Sequence, residues 1–292
     1  MKNLNNVDIS QNIVWAGVAL VVLTTACIIL ASLGEGVFTF VAYIFMLTFM
    51  LYHGTKRYGL GLTLFFSALV TAVSWSYESL SILTGFPFGS YHYTENFIGP
   101  WVGLVPVMIM PAYLAMGYMA WTIGSVLLDK RDSSVRGSDL ILLPLLSAFV
   151  MVMWDLSFDP AASTLANLWN WHNGGAYFGV PFVNYMGWFL CVFTFYFVFA
   201  LVLRFRNDFR PNITITNKAF WILPALMYIT RAIQYVINVF IQPNVEIVSN
   251  DGHVWWTGDM HLSLLLVSIF TMMFVVFYTV VRVSRSEDLT II

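Results

Sequence analysis

The chain has 292 residues, of which 59% are apolar and only 10% are charged. An ordinary water-soluble domain carries about 25% charged residues, so this composition excludes a soluble globular protein. The net charge of −2 leaves no basic face for nucleic acid. Cys27 and Cys191 both lie within apolar runs. The sequence therefore encodes neither a disulfide framework nor a zinc site. A membrane protein is the class that remains.

Apolar segments long enough to cross a bilayer follow one another along the chain. A spanning helix needs about 20 mostly apolar residues. The first such segment is too long for the apolar region of a signal peptide and has no clear cleavage site, so we keep it as a span. We therefore expect one all-α polytopic membrane domain over residues 1–292, with about eight transmembrane helices. The segments are 12–33, 36–53, 59–79, 101–128, 139–157, 181–203, 218–241 and 259–282.

The basic residues fall on alternate connections, and cytoplasmic loops hold the excess of lysine and arginine. All but one of the 13 basic residues precede the first span or follow the second, fourth, sixth and eighth spans. This pattern predicts that both termini are cytoplasmic. Arg231 is the exception, near the middle of the seventh span. The twelve are Lys2, Lys56, Arg57, Lys130, Arg131, Arg136, Arg204, Arg206, Arg210, Lys218, Arg282 and Arg285.

The outer ends of the spans carry an unusual set of polar residues. The third span finishes in SWSYES, which contains Glu78, and the fifth finishes in VMWDLSFDP. In the latter, Asp155 and Asp159 stand four residues apart and share one helix face. The loop GFPFGSYHYTENFIGPW follows the third span. Its prolines and glycines disfavour a helix, and its aromatic residues predict that it folds back over the mouth of the bundle.

Further candidates lie in WNWHNGGAYFGVPFVNYMGW and in HVWWTGDMH, at the start of the last span. A single tryptophan or tyrosine here could be an interfacial anchor. Interfacial histidines such as His53 and His253 are expected to be solvated. The candidate substrate-binding residues are Tyr91, Trp154, Trp171, His172, Asn184, Trp188, Arg231, Asp259 and His261.

Ionisable groups at membrane depth are costly and tend to mark a site or a pathway. This singles out Glu78, Asp155, Asp159 and Arg231. Arg231 also has a structural interpretation, as the ion-pair partner of one of these carboxylates. Two carboxyl groups one turn apart, near the negative end of a helix dipole, do not both ionise easily. One of them then serves as a general acid, and surrounding ring faces attract cations. The cluster predicts an enzyme that protonates an alkene and shelters the carbocation.

The motifs FPFGSYHYTENFIGPWVGLVPVMIMPAY, MWDLSFDPAA and WNWHNGGAYFGVPFVNYMGW lie between about residues 75 and 261. Together with the polar start of the last span, they resemble the carotenoid-biosynthesis membrane protein family that includes bisanhydrobacterioruberin hydratase and related carotenoid 1,2-hydratases. The resemblance implies addition of water to the terminal C=C of an acyclic carotenoid, without a cofactor, to give a tertiary alcohol. It also implies a multi-pass protein of the inner cell membrane. The implied partners are an acyclic carotenoid, water, the lipid bilayer and other carotenoid-biosynthesis enzymes, with no nucleic acid.

We expect Asp155 to protonate the alkene and Asp159 to share its proton, with the reverse assignment left open. Tyr91, Trp154, Trp171 and Trp188 would stabilise the cation. Glu78 would accept the proton of the attacking water, together with His172 or with the pair Asp259 and His261.

Other functions are weaker but not all excluded. Asp155 and Asp159 form a DxxxD that could hold Mg²⁺ in an intramembrane prenyltransferase, although a second acidic motif is missing. Arg231 with intramembrane carboxylates would suit a proton-coupled transporter. Five scattered histidines cannot supply a di-iron site, and every lysine is terminal, in a loop or at the edge of a span, so none is buried to bind retinal.

Overall fold

The computed structural model describes residues 11–205, 215–249 and 251–290. Lys2, Arg206 and Arg210 lie outside these described residues. Seven described helices are long and apolar enough to cross a membrane, which confirms an all-α polytopic bundle. They are α1 (Gln11–Ser32), α2 (Val37–Thr84), α3 (Met110–Leu127), α4 (Asp139–Pro160), α5 (Phe182–Phe205), α6 (Lys218–Ile241), and α7 (Thr257–Val267) continued through a π-helical segment (Ser268–Met273) into α8 (Phe274–Ser284).

Helix α2 contains a break that makes it two spans. Its 48 residues would reach about 72 Å as one straight helix, more than twice the roughly 30 Å hydrocarbon thickness. Gly59 has φ +78° and ψ 163°, a backbone conformation that is essentially confined to glycine. The helix is therefore two arms, residues 37–58 and 60–84, and the described residues contain the eight spans predicted.

Contacts with one ring show that the two arms fold back on each other. His53 lies on the first arm and Phe66 on the second, and their ring centroids lie 5.6 and 6.1 Å from the ring of Tyr118. Thirteen residues of straight helix would separate them by about 20 Å. The arms therefore pack as a helical hairpin against α3.

The predicted fourth span, 101–128, is wrong at its start. Residues before Met110 form β2 (Trp101–Val102), β3 (Val105–Pro106) and one 3₁₀ turn (Val107–Ile109). Strands β2 and β3 pair as a short hairpin, whose turn includes Gly103 at φ +62°. The apolar character of this segment extended the predicted helix by nine residues, because hydropathy does not distinguish a membrane-facing hairpin from a span.

The loops of the outer end pair with one another. Strand β1 (Tyr91–Tyr93) runs antiparallel to β4 (Trp169–Trp171), and β5 (Glu246–Val248) runs antiparallel to β6 (Val254–Trp256). Because Tyr91 is buried, the loop after the third span does fold back over the bundle mouth, as expected. The β1–β4 ribbon joins loops that are far apart in sequence.

The basic connections meet at the opposite end. Arg131, after the fourth span, lies 3.2 Å from Asp288, after the last span. Lys218, at the start of α6, donates to the carbonyl of Ser284 at 2.8 Å. Basic loops and carboxyl cluster thus occupy opposite ends of the bundle.

The prediction that His53 is solvated is wrong, whereas His253 is exposed as expected. His53 is buried, and its ring nitrogens lie 2.5 Å from the Tyr118 hydroxyl and 2.9 Å from the Phe220 carbonyl oxygen. Both nitrogens have partners, which allows a polar ring to pack inside the bundle. Cys27 and Cys191 are free and buried.

We predict opposite effects of alanine at two neighbouring glycines. Gly59→Ala should lower the free energy of unfolding by about 1–3 kcal/mol, because a side chain strains this backbone conformation. Gly61 is helical and has open space around it, so Gly61→Ala should raise stability by about 0.5–1 kcal/mol. Denaturant unfolding in detergent micelles measures both. Equal effects of the two substitutions would contradict a sharp break at Gly59.

The orientation can be tested with single cysteines, since both native cysteines are buried. Glu95 and Arg136 are exposed at opposite ends. In intact spheroplasts, a membrane-impermeant maleimide should label Glu95→Cys and should label Arg136→Cys only after lysis. The reverse result would invert the predicted topology.

Candidate active site

Glu78 accepts hydrogen bonds from three tyrosines. It is buried on the second arm of α2. Its Oε2 accepts from the hydroxyls of Tyr91 and, at 2.9 Å, Tyr93. Its Oε1 accepts from the Tyr113 hydroxyl at 2.7 Å. Hydrogen bonds to an ionised acceptor are stronger than neutral ones, so this setting suits a carboxylate.

Two of these donors come from one short strand. Tyr91 and Tyr93 stand two apart on β1, so their side chains share a face, and that face points at Glu78. Burial, together with the neighbouring Glu78 carboxyl, holds the pKa of both phenols well above the usual value of tyrosine. Both therefore stay protonated and donate across the physiological pH range.

Asp159 has its own pair of donors. It is buried at the C-terminal end of α4. Its Oδ1 accepts from Trp169 Nε1 at 3.0 Å, and its Oδ2 accepts from the amide of Asn184. Trp169 lies on β4 and Asn184 in the first turn of α5, so three elements converge on this carboxyl.

Glu78 and Asp159 both face one small cavity. Its volume is about 20 Å³, which is enough for a water molecule, and the branched end of a polyene would enter it only if the lining moved. Aromatic residues make up six of the ten residues that line it. The lining residues are Glu78, Phe88, Tyr91, Tyr93, Ile109, Asp159, Trp169, Trp171, Asn184 and Trp188.

The rings around the cavity are held by stacking. Tyr113 stacks on Trp188 with a centroid separation of 4.4 Å, and Tyr91 packs on Trp171 at 4.8 Å. Trp154 stands behind Trp188, edge to face at 6.0 Å, and does not line the cavity. Such ring faces attract a cation placed within about 6 Å of them.

Asp155 lies one helical turn before Asp159 but occupies a different environment. It is fully buried, and neither carboxyl oxygen has a hydrogen-bond partner. It is within electrostatic range of Asp159 and Glu78, yet it does not line the cavity. Within the described ranges, none of these three carboxyls has a basic side chain within 4.0 Å.

Arg231 is not the ion-pair partner that the sequence suggested. It is buried, donates to Gln234 Oε1 at 3.1 Å and lies over the ring of Tyr43 at 5.2 Å. The arginine does not line the cavity and is accommodated by an amide and an aromatic ring.

Three other predicted residues lie outside the cavity. His172 is exposed, with its Nε2 2.9 Å from Nδ1 of His92. Asp259 is exposed in the first turn of α7. His261 is buried, and its Nδ1 has no partner among the described residues. The cavity thus brings together Glu78, Asp159, Tyr91, Trp171, Asn184 and Trp188 from the predicted set.

A wider polar vestibule lies outside the cavity, and Trp169 and Trp171 line both spaces. Its volume is about 400 Å³. Its lining comes from the connection between α4 and α5 and the connection between α6 and α7, and five of the ten residues are polar. It is lined by Ser163, Thr164, Asn167, Trp169, Asn170, Trp171, Gly179, Ile247, Val248 and Ser249. The two tryptophans therefore separate the carboxyl cavity from a space that suits water.

A family model described as carotenoid biosynthesis protein matches residues 37–250, more than half of the chain. The chain belongs to the carotenoid biosynthesis protein family. The matched range includes every residue that lines the cavity. No curated protein and no solved structure matches the chain significantly.

Sequence reasoning missed three donors of this carotenoid biosynthesis protein: Tyr93, Tyr113 and Trp169. The alternation of YHY places Tyr93 beside Tyr91, and that signal could have found it. Trp169 precedes Trp171 by two residues in the same way. Tyr113 is 35 residues from Glu78, and nothing local to its helix indicates the contact.

Removing one tyrosine hydroxyl should weaken the site without disturbing its packing. Tyr113→Phe keeps the stack on Trp188 but takes one donor from Glu78, which should cost roughly 1–3 kcal/mol of unfolding free energy. Tyr278, exposed on α8, provides the matched control, and Tyr278→Phe should leave stability unchanged. Unfolding titrations in detergent compare the two. An equal response would mean that the Tyr113 bond contributes nothing.

Proposed function

We propose that this carotenoid biosynthesis protein is a hydratase that adds water to the terminal C=C of an acyclic carotenoid. One observation carries the proposal. Two carboxyl groups, Glu78 and Asp159, face a single cavity lined by aromatic rings and sized for a water molecule. Hydration of an alkene needs an acid, a stabilised cation, a water and a base, and the cavity offers a candidate for each.

The acid step is assigned to the pair Asp155 and Asp159. Burying several carboxylates without a cation is very costly, so such groups keep protons instead. Asp155 has no hydrogen-bond donor to favour its charged form, and it holds the proton that the pair shares. Asp159 faces the cavity and delivers that proton to the less substituted alkene carbon, which forms the tertiary cation. In this assignment Asp159 donates the proton to the alkene, and Asp155 supplies Asp159 with that proton.

The cation is stabilised by rings and by charge. Trp171, Trp188 and Tyr91 present their aromatic groups to the cavity. Glu78, with three phenol donors, supplies a negative charge beside the developing positive one. Fixed groups of this kind lower the barrier because they need no reorganisation during the reaction.

Water attacks the tertiary carbon and Glu78 accepts its proton, which leaves the tertiary alcohol. The proton returns from Glu78 to the aspartate pair between turnovers, so no net acid is consumed. The vestibule beyond Trp169 and Trp171 supplies the water. The reaction requires no cofactor, and we place the protein in the inner cell membrane, beside other enzymes of carotenoid synthesis.

The test is expression in a bacterium that makes lycopene, followed by mass measurement of the extracted pigment. The wild type should add the mass of one or two waters. Asp159→Asn and Glu78→Gln should each lower conversion about 100-fold or more, the usual contribution of an acid or base. Asp155→Asn should also lower conversion.

Glu95→Gln, at an exposed loop carboxylate, is the matched control and should convert like the wild type. Full conversion by both Asp159→Asn and Asp155→Asn would refute the acid assignment. A product heavier by a prenyl group would indicate a prenyltransferase instead. Unchanged pigment despite normal protein levels would favour the transporter.

A further inference from the structure

A second, larger space lies beside the carboxyl cavity and opens toward the bilayer. It is a groove of about 640 Å³ with an almost wholly apolar lining, within the range of small-molecule sites. The second arm of α2 forms one side, and the β2–β3 hairpin with the start of α3 forms the other. The lining residues are Ser67, Ala68, Thr71, Ala72, Trp75, Val102, Val105, Pro106, Val107 and Met110.

Small side chains create the floor of the groove. Ser67, Ala68, Thr71 and Ala72 recur at helical spacing, so they lie on one face of the arm. Ala68 and Ala72 are exposed, which leaves a depression where most neighbouring positions carry large apolar side chains. The depression runs for about 12 Å along the helix from Ser67 to Trp75.

The hairpin closes the outer end of the groove. Trp75 Nε1 donates to the Val102 carbonyl at 3.1 Å, and the Val107 amide donates to the Pro100 carbonyl at 2.9 Å. Gly103 lies against the Trp75 ring, since a Cβ there would be 3.7 Å from Cζ2. The β2–β3 hairpin is therefore the roof of the groove, and it is fixed to the helix that forms the floor.

Only a thin wall separates the groove from the carboxyl cavity. Met110 lines the groove, while its neighbour Ile109 lines the cavity. On the arm, Trp75 of the groove precedes Glu78 of the cavity by three residues. The Ser74 hydroxyl lies 3.6 Å from the Met110 sulfur in this wall. Methionine is unbranched and adapts its shape easily, so the wall can yield to a ligand.

We propose that this groove seats the chain of an acyclic polyene hydrocarbon, with its end directed past Met110 to Glu78 and Asp159. The choice of substrate rests on the proposed function. The roof distinguishes this occupant from a phospholipid, because a headgroup at the interface would meet the β2–β3 hairpin. A hydrocarbon without a headgroup can end beneath it. The rest of the chain extends into the bilayer from the open end.

The test fills the groove and uses lycopene as the probe. Ala72→Phe and Ala68→Phe project a ring into the groove from exposed positions, where no core packing is disturbed. Ala16→Phe, on the exposed surface of α1, is the matched control. The groove variants should retain about tenfold less lycopene on purification, because a ring displaces at least two methylene-sized groups of the ligand. Their conversion of lycopene in cells should fall in parallel.

A second measurement avoids bulky side chains. A lipid-soluble maleimide should alkylate Ala72→Cys, and added lycopene should slow that reaction, whereas lycopene should not affect Ala16→Cys. Equal lycopene retention by Ala72→Phe, Ala68→Phe and Ala16→Phe, or no protection of Ala72→Cys, would overturn the proposal. So would groove variants that lose bound phospholipid in native mass spectrometry but keep lycopene.

The two proposals fail in different ways. If the wild type binds lycopene in the groove but returns it without added water, the hydratase assignment fails and the groove stands. If the wild type hydrates lycopene and the groove variants do so equally well, the groove assignment fails and the hydratase stands.

Discussion

The arrangement of the outer half of this bundle depends on one constraint, the cost of placing carboxyl groups in a low-dielectric interior. Glu78, Asp155 and Asp159 are all buried, and no described basic side chain lies within 4.0 Å of them. Neutral donors take the place of cations: three phenols at Glu78, and an indole and an amide at Asp159. These phenols, the indole and the amide compensate the burial of Glu78 and Asp159 without an ion pair, whereas Asp155 has no hydrogen-bond partner among the described residues.

Three spaces around these carboxyls differ in character. The central cavity admits a water molecule, the vestibule is polar, and the groove is apolar. The vestibule borders the central cavity through Trp169 and Trp171, and the groove borders it through Met110 and Ile109. The proposed reaction between water and a hydrocarbon needs access from both phases, and the two adjoining spaces support that proposal.

The sequence predicted the class and the eight spans among the described residues, apart from the start of the fourth, because charge and hydropathy are local properties. Glu78 and Asp159 stand out as acidic residues inside apolar runs, and both reach the cavity. Contacts between distant segments could not be predicted in the same way. Tyr113 reaches Glu78, and Asn184 reaches Asp159, only because α3 and α5 pack against α2 and α4. The contacts of Arg231 with Gln234 and Tyr43 likewise depend on packing. The start of α3 was misplaced because an apolar hairpin and an apolar helix have equal hydropathy.

The β1–β4 ribbon has a mechanical consequence. One strand carries Tyr91 and Tyr93 to Glu78, and the strand paired with it carries Trp169 to Asp159. If the ribbon moved away from the bundle, Glu78 would lose the hydrogen bonds from Tyr91 and Tyr93, and Asp159 would lose the one from Trp169. The position of this ribbon at the mouth of the protein and the hydrogen bonding of Glu78 and Asp159 are therefore coupled, because one pair of strands holds donors to both carboxyls.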